Sequence, residues 1–234
     1  MAEYHNEQGQ PIGAPVAWAQ VQPPAKVTLV GQYCQVVPPS MDHTADLFDA
    51  YSADETGGNW TYLFSGPPES AEAFSDDIRA ACQSLDPLWF AIMVDDRAVG
   101  MASLMRIDPA HGVIEVGGIN FSKALQQTVA SSEAMYLMMR HAFDSGYRRY
   151  EWKCNDLNAP SRRTALRLGF TYEGTFRQHM VVKGHNRDTA WFAITDTDWP
   201  RIRPAHDAWL SPANFDADGR QRERLSALIE AAAR

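Results

Sequence analysis

Apolar and polar residues alternate in two different ways along the chain. In some stretches every second residue is apolar, whereas in others apolar residues recur every three or four positions. The first pattern predicts strands and the second predicts helices, because side chains repeat every two residues along a strand and about every 3.6 along a helix. Together the patterns predict the order β-α-α-β-β-β-α-β-α-β-β without an internal repeat. This order is typical of an α+β domain.

The first half of the chain predicts one strand, two helices and then three strands in succession. Their ranges are 27–37 for the first strand, 41–52 and 70–83 for the helices, and 88–94, 98–106 and 113–121 for the three strands. Asp95, Asp96 and Arg97 form a short polar connection of the kind that closes a hairpin. We therefore expect the three strands to form an antiparallel meander.

The second half of the chain begins with a long helix from residue 130, and Gly146 lies where its C-terminal cap belongs. Its apolar stripe consists of Ala134, Leu137, Met138, His141 and Ala142. The next segment, 148–154, alternates as a half-buried strand does. A short helix capped by Asn158 and ended by Gly169 follows. Two further strands are predicted at 171–182 and 188–195.

Both ends of the chain lie outside this pattern. Residues 1–26 contain four prolines, which disfavour helices and central strands, so we expect an arm before a domain at 27–198. Residues 199–234 are predicted to be irregular at first and then helical from about Gly219, with an apolar stripe of Leu225, Leu228, Ile229 and Ala232. This stripe needs a partner surface. It predicts a homodimer, unless the stripe folds back on its own domain.

Composition and charge narrow the function classes. A chain of 234 residues that is 45% hydrophobic is long enough for one substantial core. The net charge of -8 argues against a nucleic-acid partner and favours a cationic substrate. Cys34, Cys82 and Cys154 are too scattered to predict disulfides or a metal site. With a polar start and no apolar run long enough to span a membrane, the chain is expected to be soluble and cytoplasmic.

The most specific signal lies in the segment 151–174. After the strand come Asn158, Ser161, Gly169-Phe170 and Glu173-Gly174, in register with a helix start and a "GF-x-x-E-G" end. This segment resembles the GNAT (general N-acetyltransferase) superfamily, and within it the RimJ/RimL-like branch. The order of elements agrees over 27–198. The resemblance implies a GNAT fold, a mixed and largely antiparallel sheet of about six or seven strands flanked by about four helices.

The resemblance also implies direct acyl transfer from an acyl-CoA, by default acetyl-CoA, to a primary amine on a peptide N-terminus or a small molecule. In the family, the CoA pyrophosphate binds the N-terminus of the long helix at a Q/R-x-x-G-x-G/A motif, because free amides and the helix dipole attract phosphate. The best match is 126–131, where Val129 and Ser131 replace the motif's small residues. The predicted cofactor-binding residues are Gln126, Gln127, Thr128, Val129, Ala130, Ser131 and Ser132 at the helix, Val116 and Gly117 for the pantetheine arm, and Asn158.

Hydroxyl groups of Thr128, Ser131 and Ser132 are expected to add phosphate donors. The alternative is that these residues simply cap the helix. Asn158 and Ser161 likewise have a purely structural interpretation, as the cap and first turn of the short helix.

The predicted catalytic residues are Glu115 and Ser161. Glu115 matches a glutamate that RimJ/RimL-like enzymes often carry and would accept the amine proton directly or through water, unless it is an ordinary strand carboxylate. Many GNAT enzymes have a tyrosine as general acid where this chain has Ala165. We therefore predict that Ser161 donates a proton to the CoA thiolate, with Tyr136 and Tyr172 as substitutes.

Other reactive residues have plainer interpretations. Cys154 and His141 are expected to be buried packing residues. The aromatic residues of the loop 57–68 either wall a substrate pocket or cover the core. The charged hairpin around Lys183 either selects the acceptor or is simply solvated. Two further functions stay open: a non-catalytic acyl-CoA-binding module, which the missing tyrosine would fit, and a structural interaction protein.

Overall fold

A computed structural model describes residues 4–232. Residues 1–3 of the predicted arm and 233–234 of the predicted extension lie outside the described residues. The strands are β1 Tyr4–His5, β2 Pro11–Ile12, β3 Leu29–Val30, β4 Gln35–Val37, β5 Leu88–Val94, β6 Arg97–Asp108, β7 Val113–Phe121, β8 Arg149–Asn155, β9 Thr171–Val182 and β10 His185–Thr195. The α-helices are α1 Thr44–Ser52, α2 Ala71–Gln83, α3 Val129–Asp144, α4 Ala159–Arg167, α5 Trp199–Leu210 and α6 Leu225–Ala231.

Eight strands form one mixed sheet in the order β3-β4-β5-β6-β7-β8-β10-β9. All neighbours are antiparallel except β7 and β8, which run parallel because the crossover helix α3 connects them. The predicted α+β class is confirmed. The sheet has one or two more strands than expected, because the segment 27–37 forms two short strands rather than one.

The strands β7 and β8 pair only along their first halves. Residues 113–116 pair with 149–152, and beyond Val116 and Trp152 the two strands no longer bond to each other. Gly118 has φ +57, and the register of β7 against β6 shifts nearby, so β7 bends away as strands do at a bulge. A cleft therefore opens in the middle of the sheet.

The sheet is covered on both faces. In β5, Phe90 and Ile92 join the core that contains α3 and α5, whereas Trp89 and Met93 face the core formed with α1 and α2. This is the period-two alternation of a strand buried on both sides. The helix α3 fills the centre of the larger core, and its N-terminus lies at the mouth of the cleft.

The C-terminal extension corrects two predictions. The segment expected to be irregular is the helix α5: Pro200 occupies its first turn, where the missing N–H is not needed, and the helix continues through Pro204 while burying Ile202. The final helix begins at Leu225 rather than near Gly219. Leu225 and Ile229 are buried against the chain's own core, so the stripe folds back. A homodimer stays a prediction that this stripe does not support.

The arm runs along the surface of its own domain. Trp18 Nε1 donates to the Ala110 carbonyl at 2.7 Å, and Lys26 Nζ donates to the Cys82 carbonyl at 2.7 Å. His141 Nε2 lies 2.9 Å from the Ala25 carbonyl oxygen. His141 is thus half-buried beneath the arm, and its predicted place in the core is wrong. No helix within 4–232 is long and apolar enough to cross a membrane.

Candidate active site

The cleft between β7 and β8 has a volume of about 870 Å³. The separated strand halves, the start of α3, the helix α4, the loop 57–64 and the β9-β10 hairpin form its walls. The predicted site residues that line it are Glu115, Val116, Gly117, Gln126, Gln127, Thr128, Val129, Ser131, Ser132, Asn158 and Ser161. Ala130 is buried beside them and is not part of the lining.

The start of α3 is built by its own hydroxyl groups. Thr128 Oγ1 accepts the Ser131 N–H at 3.1 Å and donates to the Leu125 carbonyl at 2.7 Å. Ser131 Oγ donates to the Thr128 carbonyl at 2.7 Å. Both hydroxyl protons are therefore used for capping, and the expected extra donors to phosphate are missing at these two residues. The backbone amides of the first turn keep the positive end of the helix dipole.

Gln126 is also occupied. Its Nε2 donates to Asn59 Oδ1 at 2.6 Å and to the Phe121 carbonyl at 2.8 Å. Asn59 Nδ2 donates to the same carbonyl at 2.8 Å. The Gln126 side chain thus fastens the loop 57–64 to the end of β7, which shapes the cleft without placing a donor in it.

Arg167 is a cleft residue that the sequence analysis missed. Its Nη2 donates to Ser132 Oγ at 2.8 Å, and burial lowers the pKa of the guanidinium. No carboxylate within 4–232 forms an ion pair with it. Every third residue on one face of α4 lines the cleft, namely Ser161, Thr164 and Arg167. This spacing is the sequence pattern from which Arg167 could have been predicted. A second cation, Arg224, lines the same region.

Asn158 and Ser161 combine a structural role with exposure to the cleft. Asn158 Oδ1 accepts the Ser161 N–H at 3.1 Å, so Asn158 is the cap of α4. Ser161 Oγ accepts the Trp152 Nε1–H at 3.0 Å, so Trp152 does not take up the hydroxyl proton. The hydroxyl also faces the Cys154 thiol, whose pKa is raised by burial. A raised thiol pKa disfavours a nucleophile, in agreement with a packing role for Cys154.

Glu115 lies in a buried network of charges. Its Oε2 is 2.8 Å from Lys153 Nζ and 3.1 Å from Arg106 Nε. Burial raises the pKa of Glu115, although both cations oppose the change. Lys153 Nζ is also 2.6 Å from Glu151 Oε2. The polar side of β8, predicted to face solvent, is therefore buried at Glu151 and Lys153, because opposite charges pair there.

The tyrosines proposed as substitutes lie elsewhere. The Tyr136 hydroxyl donates to Asp207, and the Tyr172 hydroxyl bonds to Thr175 Oγ1 at 2.7 Å. Neither tyrosine lines the cleft, and Ala165 is fully buried in the core. Tyr62 does line it, but its hydroxyl donates to the Leu157 carbonyl at 3.2 Å. These positions favour Ser161 over the tyrosines as the proton donor.

Another wall of the cleft is formed by the loop 57–64 and the β9-β10 hairpin. Trp60 covers the smaller core, whereas Tyr62 and Phe64 line the cleft, so each interpretation of the aromatic loop applies to part of it. Lys183 Nζ donates to the Trp60 carbonyl at 2.7 Å. The hairpin is thus attached to the loop rather than freely solvated.

The charges of the cleft differ from those of the whole chain. Its charged lining residues are the five cations Arg106, Lys153, Arg167, Arg187 and Arg224 and the carboxylate Glu115. The whole chain has a net charge of -8. The expected preference for a cationic substrate is therefore not matched at the cleft, where the local field is positive. Among the described residues, no cluster of three or more potential metal ligands occurs.

Residues 35–171, more than half of the chain, match the model of the acetyltransferase (GNAT) domain. The chain belongs to the GNAT acetyltransferase family. The predicted family, fold and N-acetyltransferase class are confirmed. A GCN5-related N-acetyltransferase from Brucella melitensis, solved by crystallography, is 43% identical with a TM-score of 0.89, and the match covers 92% of this chain and 99% of that one.

The ribosomal-protein-serine acetyltransferase of Escherichia coli is also similar. It is 33% identical over 90 residues, which are 38% of this chain and 50% of that protein. The chain thus matches half of the length of this relative. The similarity agrees with the RimJ/RimL-like resemblance of the segment 151–174.

Proposed function

We propose that this GNAT enzyme transfers an acetyl group from acetyl-CoA directly to the primary amine of a peptide N-terminus or a small molecule. The observation that carries the proposal is the separation of β7 from β8. It leaves one continuous cleft between the positive end of α3 and the buried carboxylate of Glu115. A thioester placed between these ends would meet an incoming amine near Glu115.

The cleft fits the chemistry of coenzyme A. Beyond Val116, β7 no longer pairs with β8, so this edge of β7 would bond the amides of a pantetheine arm as a strand would. The first-turn amides of α3 and the Arg167 guanidinium would hold the pyrophosphate. Val129 lines the cleft where the family motif has a glycine, so the phosphate would approach the helix amides less closely. The positive charge of Arg167, which also lines the cleft, would offset this loss.

Acetyl-CoA supplies the activated carbonyl when bound, and residues of the chain manage the protons. An acceptor ammonium first loses one proton to solvent. As the N–C bond forms and the C–S bond breaks, Glu115 accepts the second proton, directly or through water, and Ser161 donates its hydroxyl proton to the sulfur. Both residues then exchange protons with solvent. No covalent enzyme intermediate is needed.

Two observations bear on the acceptor and the compartment. The relative named as a ribosomal-protein-serine acetyltransferase favours a protein or peptide acceptor, whereas the cationic lining of the cleft favours a small molecule. The three free cysteines fit the reducing cytoplasm.

A non-catalytic acyl-CoA-binding module is the rival function, because the family tyrosine is absent at Ala165.

Thermal unfolding with acetyl-CoA tests the cofactor part of the proposal. A ligand that binds only the folded state stabilises it by about 2.7 kcal/mol at a hundredfold excess over Kd. We expect a clear rise in Tm with acetyl-CoA and a smaller rise for Arg167→Ala, with the exposed Arg163→Ala as a control. The absence of any shift at millimolar acetyl-CoA would contradict the proposal.

A further inference from the structure

Arg187 is a buried cation that forms no ion pair with the described carboxylates. The residue is 7% exposed and lines the cleft from β10. Its Nη1 donates to the Tyr62 carbonyl at 3.3 Å and its Nε to Thr189 Oγ1 at 3.4 Å. Both bonds are long, and both acceptors are uncharged. Within 4–232, no carboxylate oxygen lies within 4 Å of the guanidinium nitrogens.

Such a group is unusual, because a guanidinium removed from water normally recovers the lost solvation from a carboxylate or phosphate. Glu115, the carboxylate of the cleft lining, already pairs with Lys153 and Arg106. This end of the cleft therefore keeps an excess of positive charge, even though the chain as a whole is acidic. An anionic group of a ligand would balance it.

The surroundings hold the Arg187 side chain in place. Gln178 adopts φ +51 where β9 bulges, and its N–H donates to Asp188 Oδ1 at 2.7 Å. His179 Nδ1 lies 3.0 Å from Thr189 Oγ1. The Phe64 ring covers the guanidinium, with its centroid 4.8 Å away. These contacts place the guanidinium at the cleft wall, where its fork would meet a ligand carboxylate.

We propose that Arg187 binds a carboxylate carried by the acceptor close to its amine, so that the acceptor is a free amino acid or a similar small zwitterion. The inference rests on the proposed acyl transfer and selects the small-molecule class of acceptor. A guanidinium and a carboxylate form two parallel hydrogen bonds, which would fix the amine relative to Glu115. The surrounding cations also favour the neutral, nucleophilic form of the amine.

Matched acceptor pairs test this inference. Acetyl transfer from acetyl-CoA is measured for a set of L-amino acids and for the α-carboxamide of each. We expect kcat/KM to be at least about tenfold higher for the acids, because the amide cannot form a charged bidentate pair. Polyamines and C-terminally amidated peptides, which lack a carboxylate, should be poor acceptors.

Variants assign the preference to the residue. Arg187→Gln should remove most of the preference for acids, measured as kcat/KM for the acid divided by kcat/KM for the amide. Arg187→Lys should keep part of this preference, because lysine retains the positive charge but not the two parallel N–H donors. Arg177→Gln is the matched control: Arg177 is exposed on the same hairpin and outside the cleft. Acetyl-CoA affinity and Tm, measured for each variant, report whether the fold is intact.

Equal rates for acids and amides in the wild type would overturn the inference. An equal loss for both in Arg187→Gln would do the same and make Arg187 structural. If Arg187→Gln does not fold, an unchanged ratio in Arg187→Lys is the contradicting result. If only amidated peptides are acetylated, this inference is wrong and the proposed function still holds. If no amine is acetylated, both are wrong.

Discussion

At the scale of single residues, Ser161 serves the fold and the reaction at once. Trp152 donates to its hydroxyl oxygen, so the hydroxyl proton is left for another acceptor, and the side chain lines the cleft. Ser161 could be predicted from its position after Asn158. Its bond with Trp152 could not be predicted, because that contact joins β8 to α4 across nine residues.

Ser161→Ala is predicted to lower kcat by ~10² to 10⁴ while acetyl-CoA affinity changes little, because general acid assistance acts in the transition state. The unfolding free energy should also fall by about 1–3 kcal/mol, since the buried Trp152 N–H loses its acceptor. Single-turnover kinetics and urea unfolding measure the two effects. Asn158→Ala is the comparison, with weaker cofactor binding and a loss of about 1 kcal/mol through the cap. Wild-type turnover in Ser161→Ala would assign protonation to water.

Glu115→Gln is predicted to lower kcat/KM at neutral pH by ~10² to 10⁴ and to flatten its pH profile. A general base works in its ionised form, so wild-type activity should rise as pH increases through the pKa of Glu115, which burial places above the usual value. Glu173→Gln is the control, because Glu173 pairs with Arg149 outside the cleft. A profile of the same shape in Glu115→Gln and wild type would exclude Glu115 as the base.

At the scale of elements, His206 joins three helices. It is fully buried on α5, its Nε2 lies 3.0 Å from the Leu168 carbonyl oxygen after α4, and its ring stacks on Tyr136 of α3 at 4.9 Å. Burial lowers its pKa to about 4, and the nearby charge of Arg167 acts in the same direction. Asp207 and the Leu168 carbonyl oppose the shift.

The low pKa of His206 predicts a pH-dependent stability. Between pH 6.5 and 4, the unfolded chain binds a proton at this residue and the folded chain does not, so stability is complete above pH 6.5 and declines as pH falls through this window. The loss amounts to about 3 kcal/mol at pH 4. Urea unfolding of wild type and His206→Gln across this range isolates the contribution from that of carboxylates. Parallel curves for the two proteins would contradict it.

Much of the element order follows from local patterns, and the exceptions have physical causes. The strand 113–121 and the cap at Asn158 were predicted as found, because alternation and capping act over a few residues. The helix α5 was missed because Pro200 and Pro204 resemble helix breakers. Burial of the surrounding apolar side chains outweighs them, and such tertiary packing is not visible in a local pattern.

The candidate site was predicted in outline but not in its charges. The motif placed Glu115, Ser161 and the start of α3 together in one cleft. Lys153, Arg167 and Arg187 were interpreted as solvated or were not considered, because a charge on a strand or short helix usually faces water. Their burial depends on contacts between distant segments, such as Arg167 with Ser132 and Arg187 with Tyr62, which no local pattern encodes.

At the scale of the whole molecule, an acidic protein surrounds a cationic cleft. The excess of carboxylates lies outside the cleft lining, whereas Arg106, Lys153, Arg167, Arg187 and Arg224 line it. A positive potential of this kind concentrates anionic ligands at a site. Acetyl-CoA and a carboxylate-bearing amine both match the sign of that field.

The most direct test of the account is the release of CoA thiol from acetyl-CoA in the presence of amines, with the acetylated product identified by mass spectrometry. We predict that one CoA is released for each acetylated amine and that release depends on both the amine and the enzyme. Glu115→Gln should be strongly impaired under the same conditions. Tight binding of acetyl-CoA without amine-dependent release, across amino acids, peptides and polyamines, would contradict the account and identify a non-catalytic acyl-CoA-binding module.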